Sequence, residues 1–195
     1  MAITAEERSQ IIALTVGMFG AAPGAAVLSE LTTIVDGGVS IATLAEWLAA
    51  SNEFNSLYPN FLTTEEFATN FTENLLGDTL AAADEQWVVD YITAQLNAGR
   101  SRASLIIEAI TALATGDETD PLFGTAVAQF NNQVEVATYY SVNAQLSGSS
   151  LQELQDVIGG VTSDDATVTD KIADIDNEEE FGQTFTLTSG VDTIL

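Results

Sequence analysis

The sequence predicts an all-α fold, a multi-helix bundle or right-angled helix array, closed by a short C-terminal β-strand. Three observations carry this. Helix-capping residues and glycines recur along the chain at helix-length intervals, and the apolar residues between them keep a 3.6-residue period. From Phe181 onward that period gives way to strict alternation. With 195 residues and 46% apolar content, the chain is long enough to bury a real core.

Thr4 and Glu7 form a capping box for a first helix, in which Ile11, Leu14, Met18 and Phe19 share a face and Gly20 supplies a left-handed stop. Pro23 suits the first turn of a second helix, which carries Val27, Leu28, Leu31, Ile34 and Val35 to Gly37-Gly38. Ser40 caps a third with Ile41, Leu44, Trp47 and Leu48 as its stripe, and a short fourth around Phe54 and Leu57 is closed by Pro59. Thr63 and Glu66 make another capping box, with Leu62 and Phe67 spaced as a hydrophobic staple and Phe67, Phe71 and Leu75 on one face before Gly77.

The next helix presents Val88, Tyr91, Ile92, Gln95 and Leu96 and stops at Gly99. Ser101 caps a seventh, striped by Leu105, Ile106, Ala109, Ile110 and Leu113. Pro121 opens the longest, to about Leu146, with Phe123, Val127, Phe130, Val134 and Ala137 spaced for packing along a partner. Ser150 and Glu153 start a ninth that ends at Gly159-Gly160, and a last short helix holds Val168, Ile172 and Ile175. In the tail, Phe181, Gln183, Phe185 and Leu187 alternate with Gly182, Thr184, Thr186 and Thr188, a strand pattern that the helical body leaves without a partner.

Domain organisation follows from these elements. Residues 1–180 form an α-helical domain, and 181–195 are a strand leading into a following β module. "GVSIATL" (38–44) matches "GRSRASL" (99–105) at Gly, Ser, Ala and Leu, so two diverged repeats are expected, at about 4–59 and 63–115, followed by the C-terminal helices.

Composition narrows function. The chain has 29 acidic and 4 basic residues, a formal net charge of -25, and no Lys or Arg between Arg8 and Arg100. Nucleic acid is excluded as a partner, because phosphate binding needs clustered cations. The acidity reads either as a solubility or high-salt adaptation of the whole surface or as carboxylates that meet calcium outside the cell. No Cys and no His occur, which removes disulfides, thiolate and imidazole metal sites, and Ser-His-Asp or Cys-His catalysis. "IIALTVGMFGAAPGAA" superficially matches a signal core, but Glu6 and Glu7 precede it, and no apolar run reaches the ~18 to 20 residues that a bilayer span needs.

"GDETDP" clusters Asp117, Glu118 and Asp120 without an EF-hand pattern and reads as a solvated loop in which Asp120 caps the following helix. Glu65-Glu66, Asp84-Glu85 and Asp164-Asp165 read as helix starts, since sequence neighbours do not face each other on a helix. Trp47, Trp87, Tyr139 and Tyr140 would stack on sugars if exposed, but on apolar stripes they are expected in the core.

Three segments, "SNEFNSLYPNFLTTEEFATNFTENLLG", "WVVDYITAQLNAGRSRASLI" and "FNNQVEVATYY", carry a resemblance to a known family. They resemble an all-helical repeat domain, of no established function, found in bacterial surface-layer and calcium-binding repeat-toxin-like proteins exported by type I secretion. The matching positions are Leu75-Leu76-Gly77, Trp87, Leu96 with Gly99 and Ser101, and Ser51 with Glu53-Phe54. The likeness covers roughly residues 51–144. It departs at Asp78, where the family usually has Arg.

The resemblance implies a non-enzymatic structural or adhesive module of a secreted cell-surface protein, with cell-surface polysaccharide or neighbouring copies as partners. It also implies calcium, bound mainly by β-roll repeats beyond this chain. Gly190, Asp192 and Ile194 match the opening of such a repeat, with Asp192 as a partial calcium ligand. Two alternatives stand beside it: an accessory N-terminal domain of a secreted calcium-dependent enzyme or toxin, and a freestanding acidic protein of a salt-loving organism.

Overall fold

The computed structural model describes residues 3–182, with side chains to residue 177. Among them are ten α-helices and no strand: α1 Ala5–Phe19, α2 Gly24–Asp36, α3 Ile41–Ala49, α4 Asn52–Leu57, α5 Thr64–Leu76, α6 Ala82–Asn97, α7 Arg102–Ala114, α8 Gly124–Thr138, α9 Leu151–Ile158 and α10 Asp165–Gly182. The all-α expectation holds. The C-terminal strand does not begin where alternation predicted it, because Phe181 and Gly182 continue α10, which is an 18-residue helix rather than a short one. Residues 183–195, including Asp192, lie outside the described residues.

Local chemistry sets most helix starts. Thr4 and Thr63 close reciprocal capping boxes with Glu7 and Glu66, satisfying otherwise free N–H groups at both ends of the motif. Ser40, Ser51, Ser101 and Ser150 each accept one backbone N–H from the first turn of the helix they precede. Glu153 does not complete the predicted box with Ser150; its carboxylate accepts instead from the backbone and hydroxyl of Ser149. Gly20 takes the left-handed conformation (φ 60°) that ends α1.

α2 is capped differently. Pro23 offers no side-chain hydrogen bond. Ser141 Oγ accepts from Gly24 N–H, the Leu146 carbonyl from Ala25 and Ser147 Oγ from Ala26. These acceptors come from the end of α8, where the helix widens into a π-helical turn over Tyr139–Asn143 and is stopped by Gln145 at φ 56°. The predicted helix to about Leu146 is thus an α-helix, a π turn and a left-handed stop. α9 closes the same corner, with Gln155 Nε2 donating to the Phe19 carbonyl and Ala22 N–H to that of Leu154.

α1 is the central helix. Every residue from Ile11 to Phe19 is buried, and the helix packs against α2, α3, α4, α5, α7 and α8. Gly17 lets α7 approach: a Cβ there would sit 2.4 Å from Ile110 Cγ1. Beside it Phe19, Phe54, Tyr58, Phe67 and Phe71 form an aromatic cluster, with Phe67 and Phe71 stacked at 5.8 Å. Arg102 seals one edge, its guanidinium 4.3 Å over the Phe67 ring and donating to the Tyr58 and Leu62 carbonyls. No single described helix is long and apolar enough to cross a membrane.

Candidate binding groove

α5 and α6 run antiparallel, fixed at one end by Thr64 Oγ1 donating to Asn97. At the other end the C-terminal half of α5, the first turns of α6, the outer face of α7 and the start of α8 diverge around an apolar groove of about 550 Å³. Phe71, Leu75 and Leu76 come from α5; Val88 and Ile92 from α6; Leu105, Ala109 and Leu113 from α7; and Val127 from α8. This volume falls within the range of small-ligand sites, about 300 to 1,000 Å³.

Aromatic rings stand at the mouth. Trp87 and Tyr91, one turn apart on α6, stack at 6.0 Å with ring planes 15° apart, and Phe123 leans on Trp87 at 6.5 Å. Trp87 is 59% exposed and Tyr91 39%. The α6 stripe predicted as core therefore faces outward in part: the buried residues are Val89 and Ile92, a face offset by one residue from Val88. Trp47 on α3 is likewise 53% exposed. The core expectation fails for both tryptophans and holds for Tyr140, which is buried, while Tyr139 is half-buried.

Carboxylates ring the mouth. Glu108 Oε1 accepts from the Tyr91 hydroxyl at 2.7 Å and Oε2 pairs with Arg100 at 2.7 Å, so Glu108 steers the Tyr91 ring. Arg100, and then Tyr91, hold the Glu108 carboxyl below the usual range, while the bond to Glu108 pushes the Tyr91 phenol up. Asp117 and Asp120 complete the rim. Asp117 accepts from Thr119, and Asp120 accepts from the N–H groups of Phe123 and Leu122; these bonds lower both carboxyls, but they close a turn before α8 rather than cap it, since the helix opens at Gly124 and not at Pro121, and its N-cap Phe123 makes no side-chain bond. Glu118, third of the acidic cluster, accepts from Asn131 Nδ2. The Arg100 charge offsets Glu108, which leaves Asp117 and Asp120 to make the mouth anionic.

One polar side chain lies deep in this lining. Thr72 on α5 is 1% exposed, and its Oγ1 has no hydrogen-bond partner among the described residues. Several threonines return theirs to the preceding turn, Thr15 to the Ile12 carbonyl, Thr33 to Ser29 and Thr138 to Val134, whereas Thr93 on α6 shares the unpartnered state of Thr72 among the described residues. Sequence reasoning passed over Thr72, since a threonine in "TNFTEN" carries no signal of its own. Among the described residues no group of three or more Asp or Glu is placed to hold a metal ion.

No family model, curated protein or solved structure matches this chain.

Proposed function

We propose that this chain is a non-enzymatic structural or adhesive module of a secreted, surface-layer-like protein, contacting cell-surface glycan through exposed aromatic side chains. The observation that supports it is aromatic exposure on an acidic helical body: Phe61 at 85%, Trp87 at 59% and Trp47 at 53%. Burying such rings is a strong source of contact energy, and a surface that leaves three of them to water is suited to stacking against a partner. The aliphatic C–H faces of sugar rings suit that stacking, and hydroxyls around them suit carboxylate acceptors.

Contact between neighbouring copies is the second part of this reading. Each copy carries a formal charge of -25, so copies repel at low ionic strength and associate only where salt or divalent cations screen them. Calcium would act mainly through sequence beyond Leu195, with Asp192 as a partial ligand.

Co-sedimentation with purified bacterial cell-surface polysaccharide, with and without calcium, tests the glycan contact. Wild type should pellet with the polysaccharide, and the double variant Trp47→Ala, Phe61→Ala should stay in the supernatant. Equal pelleting of the two, or none by wild type, would sink the reading.

A further inference from the structure

We propose that the α5–α8 groove binds a small amphiphilic cation: an aromatic or other apolar body, an ammonium at the mouth and a hydrogen-bonding group at the buried end. The inference goes beyond the glycan reading; the two share only Trp87, and the glycan test removes Trp47 and Phe61 alone, so either can fail without the other.

Three features of the groove specify the three parts of the ligand. The walls are apolar from α5, α6 and α7, and the Trp87–Tyr91 stack with Phe123 gives ring faces at the opening. These surfaces accept an apolar ring, and ring faces attract a cation. At the mouth Asp117 and Asp120 carry charge that no cation among the described residues pairs with, within a chain of 29 acidic and 4 basic residues. An anion would be repelled and an ammonium attracted. Thr72, in the same lining, is shut away from water, and its Oγ1 lacks a partner among the described residues, an unfavourable state for a hydroxyl. In the empty groove this hydroxyl is covered by its neighbours, so a ligand hydroxyl reaches it and makes the missing bond only as the lining side chains part around the bound ring.

A second copy of this chain fits poorly as the occupant. Its few cations include Arg100, paired with Glu108, and Arg102, set over Phe67, and its overall charge opposes docking on an anionic mouth. The volume also suits a small molecule rather than a helix.

Tyramine has all three parts and serves as the probe. Its relatives each lack one: phenethylamine lacks the hydroxyl, 4-ethylphenol the ammonium, and 3-(4-hydroxyphenyl)propanoate replaces the ammonium with a carboxylate. In a Trp47→Phe background the remaining tryptophan, Trp87, reports occupancy by fluorescence. Tyramine should give a saturable change. Phenethylamine should bind roughly tenfold more weakly, the effect of one hydrogen bond. The propanoate should not bind, and added salt should weaken tyramine but not 4-ethylphenol.

Thr72→Val keeps the shape and removes the hydroxyl, so it should erase the preference for tyramine over phenethylamine, while Thr72→Ser retains it. Circular dichroism checks that each variant is folded; should Thr72→Val not fold, the ligand series on the parent and on Thr72→Ser decides. The proposal is overturned by no saturable Trp87 signal with millimolar tyramine, by propanoate binding as tightly as tyramine, or by a folded Thr72→Val that keeps the preference.

Discussion

α1 and α6 are nearly equal in length, 15 and 16 residues, and spend their apolar side chains in opposite ways. α1 buries everything from Ile11 to Phe19 against six other helices. α6 buries Val89 and Ile92 and leaves Trp87 and Tyr91 at a groove mouth, where Glu108, paired with Arg100, holds Tyr91 and Tyr91 stacks on Trp87. Burial that complete is what stabilises a fold, and aromatic surface left partly open is what a fold keeps for contact. Stability and recognition thus sit on different helices, and substitutions should separate them.

The largest effect is expected on α1. Leu14, 2% exposed, should cost about 2 to 5 kcal/mol as Leu14→Ala, through lost transfer energy and the cavity left behind. Urea denaturation gives the figure, and tyramine affinity of the protein that remains folded should not change. Next comes the remote cap of α2. Ser141→Ala leaves the buried Gly24 N–H without its acceptor and should cost about 1 to 3 kcal/mol. The local cap Thr63→Ala should cost about 1 kcal/mol, because water can reach the exposed groups it frees. Comparing the two melts shows whether the corner of α2, α8 and α9 holds the core together more than a helix start does.

Of the same size in stability is Trp87→Ala. It loses ring contacts with Tyr91 and Phe123, about 1 kcal/mol of stability, yet it should abolish tyramine binding measured by calorimetry. A variant that unfolds as badly as Leu14→Ala would merge the two helices into one role.

The smallest effect depends on pH. The Glu66 carboxyl is held below its ordinary value by hydrogen bonds from Thr63, so its folded pKa is depressed. Its contribution is therefore present above the unfolded carboxylate range and lost as pH falls through the folded value. Glu66→Gln should melt below wild type at pH 7, and the gap should close in acid. Reading the gap between two proteins removes the discharge of the other carboxylates, which affects both alike. A gap that widens in acid would reverse the sign assigned to Glu66.

Helix starts were legible because their chemistry is local. Thr4, Ser40, Thr63, Ser101 and Ser150 cap helices within a few residues of themselves, and Gly20 stops α1 where a left-handed residue was expected. The remote cap of α2 was not, since Ser141 and Gly24 are brought together only by the tertiary fold. Nor was the π turn after α8, whose wider hydrogen bonding leaves no pattern in the side chains. Periodicity located an apolar stripe on α6 but could not say how much of it a neighbour would cover. That is why the groove and its aromatic mouth were read as core. Thr72 stayed hidden for a related reason, because an unsatisfied hydroxyl is a property of surroundings rather than of residue type. At the C-terminus, alternation from Phe181 pointed to a strand, yet the polar "DNEEE" continues α10 through Gly182.

Native-state hydrogen exchange on the free protein and with saturating tyramine tests the division between the two helices most directly. Amides of Ile11–Phe19 should exchange only through global unfolding, whereas those around Trp87–Tyr91 should exchange through smaller openings and slow when tyramine occupies the groove. Equal protection of α1 and α6 in the free protein, with no slowing on α6 when tyramine is added, would contradict it.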